Sequence, residues 1–163
     1  MGTTLTVVAV QTATPLVVEG LELGTKTQDG WSLYRPSERY AYPSTVGELT
    51  SVLARLADSP AVSGFVEDSD WACLLAATQD GLAACLVMHP EGAEDYAEGQ
   101  DALSLASQRG GDQAEAVAMW SHLTSKPIDS QTLREIVEVE TVFAEEPLMQ
   151  AFRALGIGVP WDW

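Results

Sequence analysis

The side chains in this sequence with the most chemistry to offer are carboxylates, and their spacing groups them. Glu91, Glu94, Asp95, Glu98 and Asp101 follow His89-Pro90. Laid on a helix at about 100° per residue, they share one face about 120° wide. No Lys or Arg occurs between positions 56 and 108. Each like-charged pair three or four residues apart costs about 0.2–0.5 kcal/mol, and nothing on this stretch offsets it. Such a face suits the docking of a positive surface. The plainer reading is a solvated helix side whose first acids are well placed against the helix dipole. Glu67, Asp68 and Asp70 extend the acidic group. They do not form a calcium loop, because Ala72 and Cys73 stand at the third-ligand and glycine positions of that pattern.

The remaining reactive groups are scattered. Glu140 falls within the apolar stripe Leu133, Ile136, Val137, Phe143 and Ala144 of an expected helix. Burial there would raise its pKa. Pairing with Arg134, Arg153 or His122 is the expectation, and a general base is the alternative. His89 and His122 stand in no zinc-ligand spacing. Cys85, His89 and an acid make a nucleophile and base only on paper, since Cys85 is expected in the core. Neither phosphate-binding glycine pattern is present. No catalytic residue, metal or cofactor is therefore expected.

Composition sharpens the choice of partner. Twenty-four Asp and Glu face eight Lys and Arg, a formal net charge of −16 in 163 residues. That field repels nucleic acid and anionic membranes and attracts basic proteins. No apolar run reaches membrane-spanning length. No basic residue precedes Lys26, so the charged start of a signal peptide is missing and a cytoplasmic setting is expected. Cys73 and Cys85 do not make a disulfide framework.

Strands and helices must position these groups. Leu5 to Val10, Leu16 to Leu23 and Trp31 to Arg35 read as strands, with Asp29-Gly30 as a turn. Thr45-Val46-Gly47-Glu48 has capping-box spacing and opens a helix that presents Leu49, Val52, Leu53 and Leu56. Val62 to Val66 is a short strand. The apolar runs Trp71 to Thr78 and Leu82 to Met88 flank Gln79-Asp80-Gly81. With Asp80-Gly81 as a type I′ loop, Ala76 faces Cys85, Cys73 faces Met88, and the two cysteines point to opposite sheet faces, reduced. Both runs are apolar throughout, as expected of central strands. Four helices follow: Glu91 to Gln108, Asp112 to Thr124, Asp129 or Ser130 to about Ala144, and Glu145-Glu146-Pro147 to Gly156.

The whole is one α+β domain over residues 1–163, β-rich over 1–88 and helical over 89–156, with a tail at 157–163. A mostly antiparallel sheet of about five to six strands, with the Asp80-Gly81 hairpin at its centre, carries the helices. The expected function is an acidic interaction module that docks or neutralises a basic protein, as an inhibitor, immunity protein or adaptor would. Trp71 and Tyr96 are candidate contact residues beside the acids. Trp161 and Trp163 would anchor in a groove of this chain, in a partner or in a second copy, giving a homodimer. The alternatives are a small-molecule or enzymatic pocket holding Glu140, His122 or Tyr34, and a structural subunit that oligomerises through its helices.

Overall fold

The computed structural model describes residues 2, 4–26 and 30–160, with the backbone alone at 25 and 26. Asp29 of the expected turn and the tail tryptophans Trp161 and Trp163 lie outside the described residues. The strands are β1 (Leu5–Gln11), β2 (Leu21–Lys26), β3 (Trp31–Pro36), β4 (Ala61–Glu67), β5 (Trp71–Thr78) and β6 (Gly81–Met88). Helix α1 (Pro43–Ala57) lies between β3 and β4. After β6 come α2 (Pro90–Ala93), α3 (Ala97–Arg109), α4 (Gln113–Ser121), α5 (Ser130–Glu138) and α6 (Glu145–Ala154). The strands pair antiparallel in one open sheet, in the order β2-β3-β1-β4-β5-β6. This is an α+β architecture.

The helices cover both faces of that sheet, which explains why its strands read as unbroken apolar runs. Along β5, Trp71, Cys73, Leu75 and Ala77 face one core with α1 and α3, while Ala72, Leu74 and Ala76 face another with α4, α5 and α6. Strand β1 divides the same way: Val8 and Val10 turn to α1, and Leu5, Val7 and Ala9 to the opposite side. Each fully buried large side chain contributes about 1.5–3 kcal/mol. Helix α6 comes so close to β4 that a Cβ on Gly64 would lie 2.7 Å from the Phe152 ring. It ends in a Schellman cap: Ile157 N–H donates to Phe152 O at 2.8 Å and Gly156 N–H to Arg153 O at 3.0 Å, with Gly156 at φ 81°. Among the described residues no helix is long and apolar enough to cross a membrane.

The hairpin departs from its expected register. Thr78 pairs with Gly81, so the tip is Gln79-Asp80 and not Asp80-Gly81. A bulge then takes up Ala83 between the Ala77–Leu82 and Ala76–Ala84 pairs. Leu75, not Ala76, faces Cys85, and Ala72, not Cys73, faces Met88. One residue of slip changes the face of every following side chain. Cys73 and Cys85 therefore share the α1–α3 face as diagonal neighbours, both buried and both free thiols. The Cys73 thiol is pushed well up by its hydrogen bond with Cys85 and by burial. Nor is the hairpin central: β5 is an inner strand and β6 the sheet edge.

Other boundaries moved for local reasons. Residues 16–20 are not strand; Val17 is fully exposed, and Leu16 N–H donates to the buried Tyr34 hydroxyl at 2.7 Å. Helix α1 starts at Pro43, three residues earlier than the capping-box spacing suggested, with Tyr42 and not Thr45 as N-cap, and Thr45 Oγ1 accepts from Tyr42 N–H at 3.3 Å. Helix α5 stops at Glu138, ahead of the β-branched run Val139, Thr141 and Val142. Glu140 thus lies past the helix and is exposed, not buried in the stripe.

Candidate functional site

The acidic site begins with a tight turn. Asp68 and Ser69 join β4 to β5 with φ of 50° and 63°. Asp70 N–H closes the turn on Glu67 O at 3.0 Å. Consecutive positive φ values are what a type I′ turn requires, and short polar side chains tolerate them. Other segments pin the turn. Ala144 N–H donates to Ser69 O at 3.0 Å, Ser69 Oγ to Glu145 Oε1 at 2.9 Å, and Gly2 N–H to Asp68 Oδ1 at 2.9 Å. The carboxylates of Asp68 and Asp70 remain exposed and Glu67 is partly buried.

The helix expected from Glu91 to Gln108 is broken opposite this turn. His89 takes a left-handed conformation, α2 makes a single turn, and Tyr96 is extended at φ −118° and ψ 142° before α3 begins. Two close approaches fix the break. A Cβ on Gly92 would stand 2.4 Å from Asp70 O, and one on Gly99 2.1 Å from Ala93 O. The chain can double back there only because both positions lack side chains. The continuous face from Glu91 to Asp101 therefore does not exist as drawn on one helix. Asp101 turns toward α1, where its Oδ2 accepts from Ser44 N–H at 2.7 Å in the first helical turn.

What forms instead is a corner assembled from two segments. The Tyr96 hydroxyl donates to Asp70 Oδ2 at 2.5 Å. That hydrogen bond, then burial and the charges of Asp70, Asp68 and Glu67, push the tyrosine up to about 12. Burial raises the Glu67 carboxyl, Glu98 raises it further, the Thr4 hydroxyl opposes them, and Asp68 adds to the rise. Glu67, Asp68 and Asp70 are thus electrostatic neighbours of Tyr96, and Glu98 is a neighbour of Glu67. Glu91, Glu94 and Asp95 are exposed on the adjoining α2 and its exit. Among the described residues, ion pairs join Arg39 to Glu19 at 4.0 Å and Arg134 to Asp112 at 2.5 Å, and neither involves these acids.

A cleft of about 420 Å³ opens beside the corner. Glu67 and Glu98 line it with Arg35, Glu38, Tyr40 and Phe65. Trp71, expected as a contact residue, is 0% exposed and stacks on Phe65 with centroids 5.4 Å apart, so it supports the corner from within. The participation of Gly2, Thr4 and the Arg35–Tyr40 segment was not foreseen; only Gly92 and Gly99, inside an otherwise helical pattern, signalled a close approach.

The other candidates are held apart. Tyr34 is buried in the α1 core, His122 is exposed at the end of α4, and Glu140 is exposed after α5, and none of the three lines the cleft at the acidic corner. His89 Nε2 meets Thr141 Oγ1 at 3.0 Å, while Cys85 Sγ donates to Ala102 O at 3.5 Å. Among the described residues no three His, Cys, Asp or Glu side chains converge as metal ligands. No protein-family model, curated protein or solved structure matches the chain, so the functional reading rests on its own residues.

Proposed function

We propose that this chain is a cytoplasmic interaction module that docks a basic protein, in the manner of an inhibitor or adaptor, on the corner formed by Glu67, Asp68, Asp70, Glu91, Glu94, Asp95 and Glu98. The observation that carries the reading is geometric: the β4–β5 turn presents Glu67, Asp68 and Asp70 together, Tyr96 bonds to Asp70 there, and Glu98 of α3 lines the same cleft as Glu67. Burial first, and then the charge of Glu98, raise the Glu67 carboxyl, and a cation brought among these acids would relieve that repulsion. Electrostatic steering would speed encounter, and the partly buried Tyr96 and the adjoining cleft would supply the packed contact.

The test uses a lysine- and arginine-rich peptide as probe and compares two charge reversals. Glu94→Lys/Glu98→Lys alters the corner; Glu19→Lys/Glu22→Lys makes the same change in net charge elsewhere. The corner variant should slow association about tenfold more than the control, with a steep salt dependence. Equal losses in the two variants would mean that the probe feels only net charge, and the proposal would fall.

The cleft favours a second reading, a small cationic molecule held by Glu67 and Glu98. Its volume is within the range of small-molecule pockets. Binding of a polyamine that Glu67→Gln abolishes, with peptide association unchanged, would select this reading over the first.

A further inference from the structure

A second surface inverts the charge of the molecule. Between α1 and α3, at the edge strand β6, lies a groove of about 470 Å³. Val52, Leu82 and Leu105 give it an apolar lining, and Arg55, Arg109 and Glu48 its charge. Only eight residues of this chain are Lys or Arg, and this groove holds two of them. Among the described residues neither arginine has an ion-pair partner. Val52 is 41% exposed, and Leu56, one turn further along α1, is 60% exposed. The groove thus offers apolar surface beside two unpaired guanidinium groups, a combination suited to aromatic rings and a carboxylate.

The chain carries a segment of that chemistry. Trp161-Asp162-Trp163 places one acid between two indoles. Its own groove is out of reach. Val159 packs on the core beneath α4, α5 and α6, on the opposite face of the sheet from α1 and α3. Three extended residues span at most about 11 Å, whereas passing from one helical layer around the sheet edge to the other takes roughly 20 Å. A second copy has no such limit.

We infer that the α1–α3 groove is the receptor for the Trp161-Asp162-Trp163 segment of a second copy of this chain. The indoles cover Val52, Leu82 and Leu105 and lie against the guanidinium planes, and Asp162 pairs with Arg55 or Arg109. Reciprocal exchange of two segments closes a two-fold dimer, with no further edge left for growth. Each buried tryptophan covers about 150–250 Å², so the four indoles and their grooves reach the lower range of specific interfaces. The inference uses a different surface from the acidic corner and stands or falls separately from it.

Light scattering at physiological ionic strength tests it with three proteins. The full chain should be a dimer, and Trp161→Ser/Trp163→Ser and Arg55→Glu/Arg109→Glu should both be monomers. Circular dichroism checks that both variants fold, which the exposure of the arginines favours. A labelled peptide of residues 158–163 gives a readout independent of dimerisation. It should bind saturably to the Trp161→Ser/Trp163→Ser protein, and about tenfold or more weakly once Arg55→Glu/Arg109→Glu is added. A monomeric full chain, a dimer indifferent to the arginine reversal, or peptide binding that survives it would each overturn the inference.

Discussion

Acids at the starts of α4 and α5 and acids at the β4–β5 corner are the same residue types put to opposite use. Asp112 binds Arg134 and accepts from Glu115 N–H at 3.2 Å; Asp129 accepts from Thr132 N–H at 2.9 Å. The Arg134 guanidinium, then the backbone amide, hold the Asp112 carboxyl below the usual range. The amide and hydroxyl of Thr132 do the same for Asp129. At the corner Glu67 moves the other way, first through burial and then through Glu98. The acids of this chain thus include two kinds of carboxylate, Asp112 and Asp129 being of one and Glu67 of the other. One kind stabilises helix starts; the other is held against its neighbours by the packing around it.

The largest effect expected on this contrast comes from Gly92→Ala. Its Cβ would meet Asp70 O at 2.4 Å, so α2 must lift from the turn or the turn must shift. Overpacking of this kind costs about 1–3 kcal/mol, read as a lower melting temperature. Gly158→Ala, whose Cβ meets nothing within 4 Å, should change almost nothing. Equal melting points for the two variants would show that the corner is not wedged together as described.

Next in size are the caps. Asp112→Ala and Asp129→Ala should each lower the midpoint of urea unfolding. Because both carboxyls are depressed in the folded state, their contribution is present above the usual carboxylate pKa and is lost as pH falls through the lowered one. A cost that stays constant down to strongly acid pH would break the distinction between the two kinds of acid.

Glu67→Gln should act with the opposite sign. A raised folded pKa means that ionisation disfavours the fold, so stability declines as pH rises from the ordinary glutamate value through the raised one. The glutamine variant should be slightly more stable than the parent at neutral pH and lose that advantage in acid. A less stable variant at neutral pH would show that the Thr4 contact outweighs the repulsion.

The smallest effect is spectroscopic. Tyr96 should ionise at about 12, against an ordinary value of 10.0, seen as the difference between ultraviolet titrations of the parent and Tyr96→Phe. Stability from the Asp70 bond is complete below pH 10 and fades as pH rises toward 12. A Tyr96 that titrates with ordinary tyrosines would remove Asp70 from its neighbourhood.

Much of the sheet was legible because β-rich apolar runs bounded by Gly, Pro and Asp leave few other readings. Strand β5 runs from Trp71 to Thr78 as its apolar run indicated. Helix starts at Asp112 and Asp129 were legible because a carboxylate can satisfy free amides locally. The corner was only half legible. Its acids stood out by charge, but a periodic pattern treats Gly92 and Gly99 as ordinary helix positions and so drew one continuous face. The register was missed because Asp80-Gly81 and Gln79-Asp80 tips differ by one residue, and no local preference reports the bulge at Ala83.

Composition and order by themselves determined the sign of the field, the strand-forming runs and the capped helix starts, since each follows from a residue and its near neighbours in the chain. Tertiary structure alone decided that Cys73 and Cys85 share a face, that Asp101 turns inward to α1, and that Glu67 and Glu98 become neighbours. Those outcomes depend on pairing parity and on the approach of backbones distant in sequence, where one added residue or one missing Cβ changes which side chains meet.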